Sequence, residues 1–349
     1  MPRPTVNDIA RVAGVSLATV DRVLNERPGV RAATITRVNT AIETLGYVRD
    51  VSAANLARQR HYELAVILPD GTGQFVAALA RAVENASRAT RAERTAVHVS
   101  RAPVGDPHAL ARRLERLDTD ALDGVAIMAP ETPPVRDAIA RLKEAGVAVV
   151  TMVSDLPSTA RDHFVGIDNV AAGRTAGTLL GRFLGPDGGR VLVLAGSTLA
   201  RDGVERRLGF DRIIAERFPA LEVLPSIEGH DDPEIIERVL DAAFEARPDI
   251  RGVYSLAAGH RTLCAALERR GLADELVVVA HELTARARAA LLEGTFDAVI
   301  TQNLGHVARS ALRVLRAKSD GLDIDLSQET IRIEIVLREN LPLAAPGPA

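Results

Sequence analysis

Tryptophan is absent from the 349 residues, and aromatic residues make up 3% of them. Stacking against a ligand ring would therefore have to rest on a phenylalanine such as Phe75 or Phe210. A single cysteine, Cys264, excludes an internal disulfide and is compatible with a reducing compartment. No apolar run approaches the roughly 18 residues that span a bilayer. The opening MPRPTVND has neither an apolar core nor a small-residue cleavage site, so no signal peptide is expected and the cytoplasm is the expected compartment. The histidines are scattered, without a pair at metal-binding helical spacing, and no metal or cofactor is expected. Lysine occurs at 143 and 318 alone, leaving arginine to carry the positive charge.

That charge is unevenly spread. Residues 1–62 hold nine Arg against five acids, a net +4, whereas the remainder carries −7. A basic head on an acidic body suits a polyanion at one end, although an Arg-rich surface by composition alone gives the same totals. Hydrophobic content of 47% with 26% charged residues is ordinary for a globular chain, and the length suits two or three domains.

Residues 5–46 show three short helical patterns and no strand pattern. Thr5 with Asp8 reads as a capping box, Gly14 as a turn, and Ser16 as the cap of a second helix; a third runs from about Ala32 to Leu45. This is a helix-turn-helix signature. On the second helix Val20, Val23 and Leu24 share one face, expected to pack onto Ile9, Val12 and Ala13. Leu17, Ala18, Asp21, Arg22 and Asn25 line the opposite face. An Arg and an Asn on an exposed helix suit a major groove, where they can grip guanine and adenine; the solvated face of a structural bundle has the same spacing.

From Glu63 onward short Val/Ile/Leu runs alternate with amphipathic helices. Nine strands are expected: 63–69, 95–100, 124–130, 147–153, 163–167, 190–196, 252–257, 276–281 and 298–302. Helices are expected at 74–91, 133–145, 169–184, 201–217, 232–246 and 304–318. Such alternation implies parallel sheets covered on both faces, divided into two doubly wound lobes. Ligands of open α/β folds bind beyond the carboxyl ends of strands. The polar residues there include Asp70, Gln74, Asp155, Glu282 and Gln302, with Arg206 in DGVERRLGF. Carboxylates and a guanidinium in a cleft can bind adjacent hydroxyls, which suits a sugar or polyol; singly, each is also an ordinary loop residue. Enzyme signatures are missing: GTGQFV lacks the third glycine of a dinucleotide turn, AGSTLA lacks the second glycine of a nucleophile elbow, and His281-Glu282 has no nucleophile beside it.

The stretch TVNDIARVAGVSLATVDRVLN, continued by GVRAATITRVNTAIETLGYVRD, closely resembles the headpiece of the LacI/GalR (lactose repressor) family of bacterial transcription regulators. The resemblance implies an all-α headpiece (1–48), a hinge (49–62) and a periplasmic-binding-protein-like α/β core (63–340). The lobes are expected at 63–165 with 300–325 and at 166–299 with 326–340, followed by a disordered tail (341–349). It implies a homodimer on double-stranded operator DNA at the nucleoid, with a small effector, a sugar or polyol, in the cleft. Positions 17, 18 and 22 would read bases, and Leu56 would wedge into the minor groove, or else merely anchor its linker. Thr5, Ser16, Thr19, Asp21, Asn25, Arg31 and Asn55 complete the candidate DNA-contacting set. In the core the resemblance favours Asp155, Arg206, Glu282 and Gln302 as effector contacts, beside Asp70, Gln74, Phe75 and His260.

Several positions depart from the family pattern. Asp21 replaces a serine, Arg31 stands where serine often caps, Arg49-Asp50 replace Pro-Asn, and Ala54 replaces an Arg near the hinge leucine. Ala280-His281-Glu282 stands for Gly-aromatic-Asp, and Gly259-His260 for Asn-Asp. Asp21 is open to three readings: acceptor for a cytosine amino group, support for a nearby Arg, or bystander. A transport-type sugar-binding protein is the competing function, disfavoured by the helix-turn-helix head and the missing signal peptide.

Overall fold

A computed structural model describes residues 4–24, 27–47, 60–71, 73–103, 106–196, 200–230, 232–256 and 259–342. The chain divides into two compact units, 1–60 and 61–349. The first holds helices α1 (Val6–Ala13), α2 (Leu17–Leu24) and α3 (Ala32–Leu45). Asp8 Oδ2 accepts from the Thr5 N–H (3.0 Å) and hydroxyl (2.8 Å), satisfying donors that the start of α1 leaves open. Gly14 ends α1 in the left-handed region at φ 63°, which a side chain would strain. Ser16 Oγ then accepts from the Thr19 N–H at 3.2 Å and starts α2. The core is Ile9, Ala10, Ala13, Val20, Val38 and Ala41, with Val23 and Leu24 packed beside it. Val12 does not join it, being 49% exposed. At 3.6 residues per turn it lies roughly 100° from the centre of the Ile9–Ala10–Ala13 face, and Ala10 takes the place expected of it.

The second unit opens with β1 (Tyr62–Pro69), α4 (Gln74–Thr90), β2 (Thr95–Ala102), α5 (Pro107–Glu115), β3 (Gly124–Ile127), α6 (Pro133–Glu144), β4 (Ala148–Met152) and β5 (His163–Val165). These strands form a parallel sheet of order β2-β1-β3-β4-β5. A second series follows: α7 (Asn169–Leu184), β6 (Gly189–Ala195), α8 (Arg201–Arg217), β7 (Leu221–Glu228), α9 (Pro233–Ala246), β8 (Ile250–Ser255), α10 (His260–Arg270), β9 (Val277–His281), α11 (Ala285–Glu293) and β10 (Ala298–Gln302). The chain ends with α12 (Leu304–Ser319), α13 (Leu326–Glu329) and β11 (Ile333–Val336). The second sheet has the order β7-β6-β8-β9-β10-β11, with β11 antiparallel. Both sheets repeat the doubly wound order that leaves a crevice at the carboxyl ends of the strands. Every residue of β3, β4 and β10 is buried, so these strands read as continuous apolar runs.

Two strands beyond the nine expected, β7 and β11, lie at the edges of the second sheet. Pro225 falls inside β7, and the pairing jumps from Val191–Val223 to Val193–Ser226. An edge strand tolerates the missing N–H, but a proline does not read as strand. The lobe boundaries also differ from expectation. β10 remains in the second sheet through Gln302, while α12 packs on β3, β4 and β5 of the first. Glu329 of α13 accepts from Ser310 and, at 2.7 and 2.8 Å, from the Arg313 fork, both on α12. Only from β11 does the chain return to the second sheet.

Helices α7 and α8 touch through glycine. A Cβ at Gly173 would stand 1.9 Å from the Arg206 carbonyl oxygen, and one at Gly209 2.0 Å from that of Val170. Backbone cannot yield as a flexible side chain can, so Gly173→Ala is expected to cost about 1–3 kcal/mol. Urea unfolding checks this: the midpoint should fall at unchanged slope.

Candidate functional site

On α2 the face opposite Val20 is exposed: Leu17 (49% exposed), Ala18, Asp21 and Arg22 all reach solvent. Asp21 Oδ2 lies 3.5 Å from Arg27 Nη1, an exposed pair. Thr19 is half-buried, its hydroxyl 2.9 Å from that of Ser16. Thr5 and Ser16 are helix caps, and Arg31 precedes α3 exposed, with no side-chain hydrogen bond capping that helix. Asn25, Asn55 and Leu56 lie outside the described residues.

In the second unit the strand ends meet at a buried guanidinium. Arg206, wholly buried on α8, donates from Nε to Asn169 Oδ1 at 2.9 Å and from Nη2 to Glu282 Oε1 at 2.8 Å. Gln302 Nε2 donates to the same Glu282 oxygen at 3.2 Å, and Asp202 Oδ2 lies 3.9 Å from Arg206 Nη1. Burial pushes the Glu282 carboxyl up against the opposing pull of Arg206. Burial would lower the guanidinium, but Glu282 and Asp202 more than offset it and keep Arg206 charged. Arg206 Nη1, Glu282 Oε2 and Gln302 Oε1 are buried without hydrogen-bond partners. Unmet polar atoms of this kind are costly in a folded chain, and water or a ligand group can complete them. Glu282 also adopts φ 69° just past β9, as Val153 does (φ 67°) past β4. Non-glycine residues held there carry strain that collects at binding sites.

Glu282 and Gln302 line a cleft together with Phe75 and Thr301. Among the described residues four polar contacts run between the lobes. Arg201 Nη1 reaches Glu131 Oε2 at 3.2 Å. The Asp202 N–H donates to Ser154 Oγ, Asn169 Nδ2 to the Val153 carbonyl and the Arg286 N–H to Gln74 Oε1, each at 3.4 Å. Strand-end positions thus include partners the sequence reading passed over: Glu131 after β3, Ser154 after β4, and Arg201 and Asp202 opening α8. The same rule that selected Asp70 and Asp155 would have selected them.

Three expected ligand groups are engaged otherwise. Asp155 is gripped by the Arg161 fork at 2.5 and 2.6 Å, by the Thr151 hydroxyl at 3.0 Å and by the Leu156 N–H at 2.7 Å. Burial would raise its carboxyl, but Arg161 and these hydrogen bonds hold it below the ordinary range. It fixes the loop after β4. Phe210 is buried, stacked on Tyr254 at 4.3 Å, so Phe75 is the phenylalanine left to face a ligand. His260 is buried edge-on to Phe296, with Nδ1 3.2 Å from the Thr284 hydroxyl. Asp70 stands exposed at the end of β1. His281 is buried with Nε2 2.8 Å from the Tyr254 hydroxyl, a core contact rather than half of an acid–base pair.

Residues 64–323 match the family described as "Periplasmic binding protein domain", and residues 5–50 that described as "Bacterial regulatory proteins, lacI family". The chain belongs, over most of its length, to the periplasmic binding protein domain family, and it carries a lacI-family domain at its head. Its relatives include catabolite control protein A of Priestia megaterium, 43% identical over 81 residues, 23% of this chain and 24% of that protein. The HTH-type transcriptional regulator GalR of Escherichia coli K12 is 39% identical over 80 residues, 23% of each chain. The chain thus aligns with under a third of these relatives' length. Among solved structures, a glucose-galactose binding protein from Geobacillus stearothermophilus superposes with a TM-score of 0.73 at 18% identity, covering 81% of this chain and 100% of that one. A solute-binding protein from Burkholderia graminis in complex with D-arabinose gives 0.72 at 21%, covering 82% and 98%. At these identities the likeness is one of fold.

Burial pushes His260 down to about 4. An unfolded histidine titrates near 6.5. Between those values the unfolded chain takes up a proton that the folded one refuses, so stability is lost as pH falls from about 6.5 towards 4. By about pH 4.5 the loss from this ring amounts to about 2 kcal/mol. Urea unfolding at neutral pH and near pH 4.5 should show that His260→Asn loses about 2 kcal/mol less over this interval than the parent; equal losses would count against a neutral buried ring.

Proposed function

We propose that this chain, with its lacI-family head, is a ligand-responsive DNA-binding regulator, acting in the cytoplasm as a homodimeric repressor of genes for uptake or breakdown of a sugar or polyol. The observation that carries the reading is the outward face of α2, where Leu17, Ala18, Asp21 and Arg22 are exposed while Val20 is buried. Arg22 can grip guanine through two hydrogen bonds, and Leu17 and Ala18 can meet thymine methyls. Two headpieces related by a dimer axis would address two half-sites about one helical turn apart. The small effector would sit between the lobes against Phe75, Glu282 and Gln302, with Arg206 holding Glu282. Its closure of the lobes would change operator affinity through the linking segment 49–62, and operator would alter effector affinity by the same factor.

Asp21, beside Arg27, gives the operator preference its own character. The ion pair supports the reading in which the carboxylate holds an Arg, and leaves the cytosine amino group as the other partner.

Selection of sites from a random duplex pool, followed by gel-shift titration, tests the reading. A pseudo-palindromic site should emerge, bound at least a thousandfold more tightly than random duplex. Asp21→Ser should alter base preference in each half-site, and Leu56→Ala should weaken the selected site more than random duplex. Retrieval of no site would sink the proposal; equal losses on both DNAs would remove the wedge role of Leu56.

A further inference from the structure

Two helices that begin at the cleft end beside the root of the linker. Phe75 and Ala78 of α4 line the cleft, and Gln74 before them accepts from the Arg286 N–H of the second lobe. Leu304, the first residue of α12, lines the same cleft just after Gln302. With 17 and 16 residues, α4 and α12 each run roughly 24 Å, and they pack on one another. Their far ends converge on Tyr62, the first residue of β1 and two residues past Arg60, where the first unit ends.

Tyr62 is buried, and groups from both helix ends hold it. Its hydroxyl donates to Asp320 Oδ2 at 2.7 Å, just past the end of α12. The Arg316 guanidinium, one turn earlier on α12, lies 5.0 Å from the centre of the Tyr62 ring and pairs with Glu93. The Tyr62 N–H donates to the Arg94 carbonyl at 2.9 Å, and Arg94 closes the short turn Arg91–Glu93 that follows α4. Arg94 does so at φ 56°, a conformation uncommon outside glycine. A phenol bound to a carboxylate makes a charge-assisted hydrogen bond, and a cation over the ring adds to it. The neighbouring tie comes from neither helix: the Glu63 N–H donates to Asp123 Oδ2 at 2.8 Å, just before β3.

Resting on the reading of the chain as an effector-responsive DNA-binding regulator, we propose that Tyr62 is the positioning residue through which the cleft acts on the linker. The bond from its hydroxyl to Asp320 fastens the linker's root to α12, and the pairing of Arg316 with Glu93 ties the end of α12 to that of α4. A shift of either helix at the cleft is then delivered to the strand that the linker enters, through packed, rigid elements. Coupling of this kind is reciprocal, so operator held by the head must be felt at the cleft ends of α4 and α12.

Hydrogen exchange of the full chain, with and without the duplex retrieved from the random pool, tests this with no effector present. In the parent, bound duplex should alter deuterium uptake over residues 74–80 and 302–308. Tyr62→Phe, which keeps the ring, and Asp320→Ala should each lose at least half of that change while binding the duplex within threefold of the parent. Tyr62→Phe decides if Asp320→Ala does not fold. Asp123→Ala loosens the same end of β1 without touching either helix and should leave the change intact, which separates positioning from general loosening. An undiminished response in Tyr62→Phe, or an equal loss in Asp123→Ala, would overturn the inference. A duplex that binds the parent and leaves both segments unmoved also overturns it, with the DNA-binding reading still standing. Retrieval of no duplex overturns that reading, and the inference with it.

Discussion

A guanidinium taken wholly out of water must find partners in the protein, because a buried charge without them costs several kcal/mol. Arg206 meets that demand with Asn169 from the start of α7 and Glu282 from the end of β9. Much of the second lobe's local geometry serves this arrangement. Gly173 and Gly209 let α8 approach α7 closely enough for the side chain to reach its partners. Glu282 accepts a left-handed backbone to present its carboxylate, and Gln302 from β10 leans on the same oxygen. The cluster is tied together by these hydrogen bonds, yet three of its polar atoms are left unmet. A ligand that satisfies them meets groups already in place, which lowers the entropy lost on binding.

The contacts that draw the lobes together are of another kind. Among the described residues the polar ones, apart from the Arg201–Glu131 pair at 3.2 Å, are single hydrogen bonds at 3.4 Å. Bonds of that length contribute little each, and a pair with a partly exposed arginine is worth at most about 1 kcal/mol. These polar contacts are weak singly, and one apolar core cluster carries residues of both sheets, among them Val66 and Val150 of the first and Val193 and Tyr254 of the second. A ligand can shift the balance between two arrangements of the lobes by no more than its differential affinity for them.

Much of this was legible in the sequence, for identifiable reasons. Thr5, Gly14 and Ser16 act locally, through bonds to residues three or four positions away, so their roles could be read from spacing. The phase of α2 likewise follows from helical periodicity, which separates Val20 from Leu17 and Arg22. Where spacing does not set the partner the reading faltered, over a short loop as well as between distant segments. Asp155 looked like a free carboxylate, but Arg161 folds back over it. Phe210 looked available for stacking, but Tyr254 of β8 covers it. Val12 and Ala10 were exchanged because two apolar residues on adjacent helix faces are equivalent until a neighbour chooses between them.

The sequence by itself determined most of the order of elements, the helix-turn-helix at its head, the two α/β lobes and the likeness of its opening residues to a lacI-family headpiece, because caps, turns and apolar periodicity are short-range and survive without context. Tertiary structure alone decided which strands form the sheet edges, where the chain passes from one lobe to the other, and which arginine each strand-end carboxylate meets. Those outcomes depend on the meeting of side chains from separate segments, such as Arg206 with Glu282, 76 positions apart, and neither residue announces its partner. The pairing of Arg201 with Glu131 is of the same origin: composition records how many acids and bases there are, and only the fold pairs them.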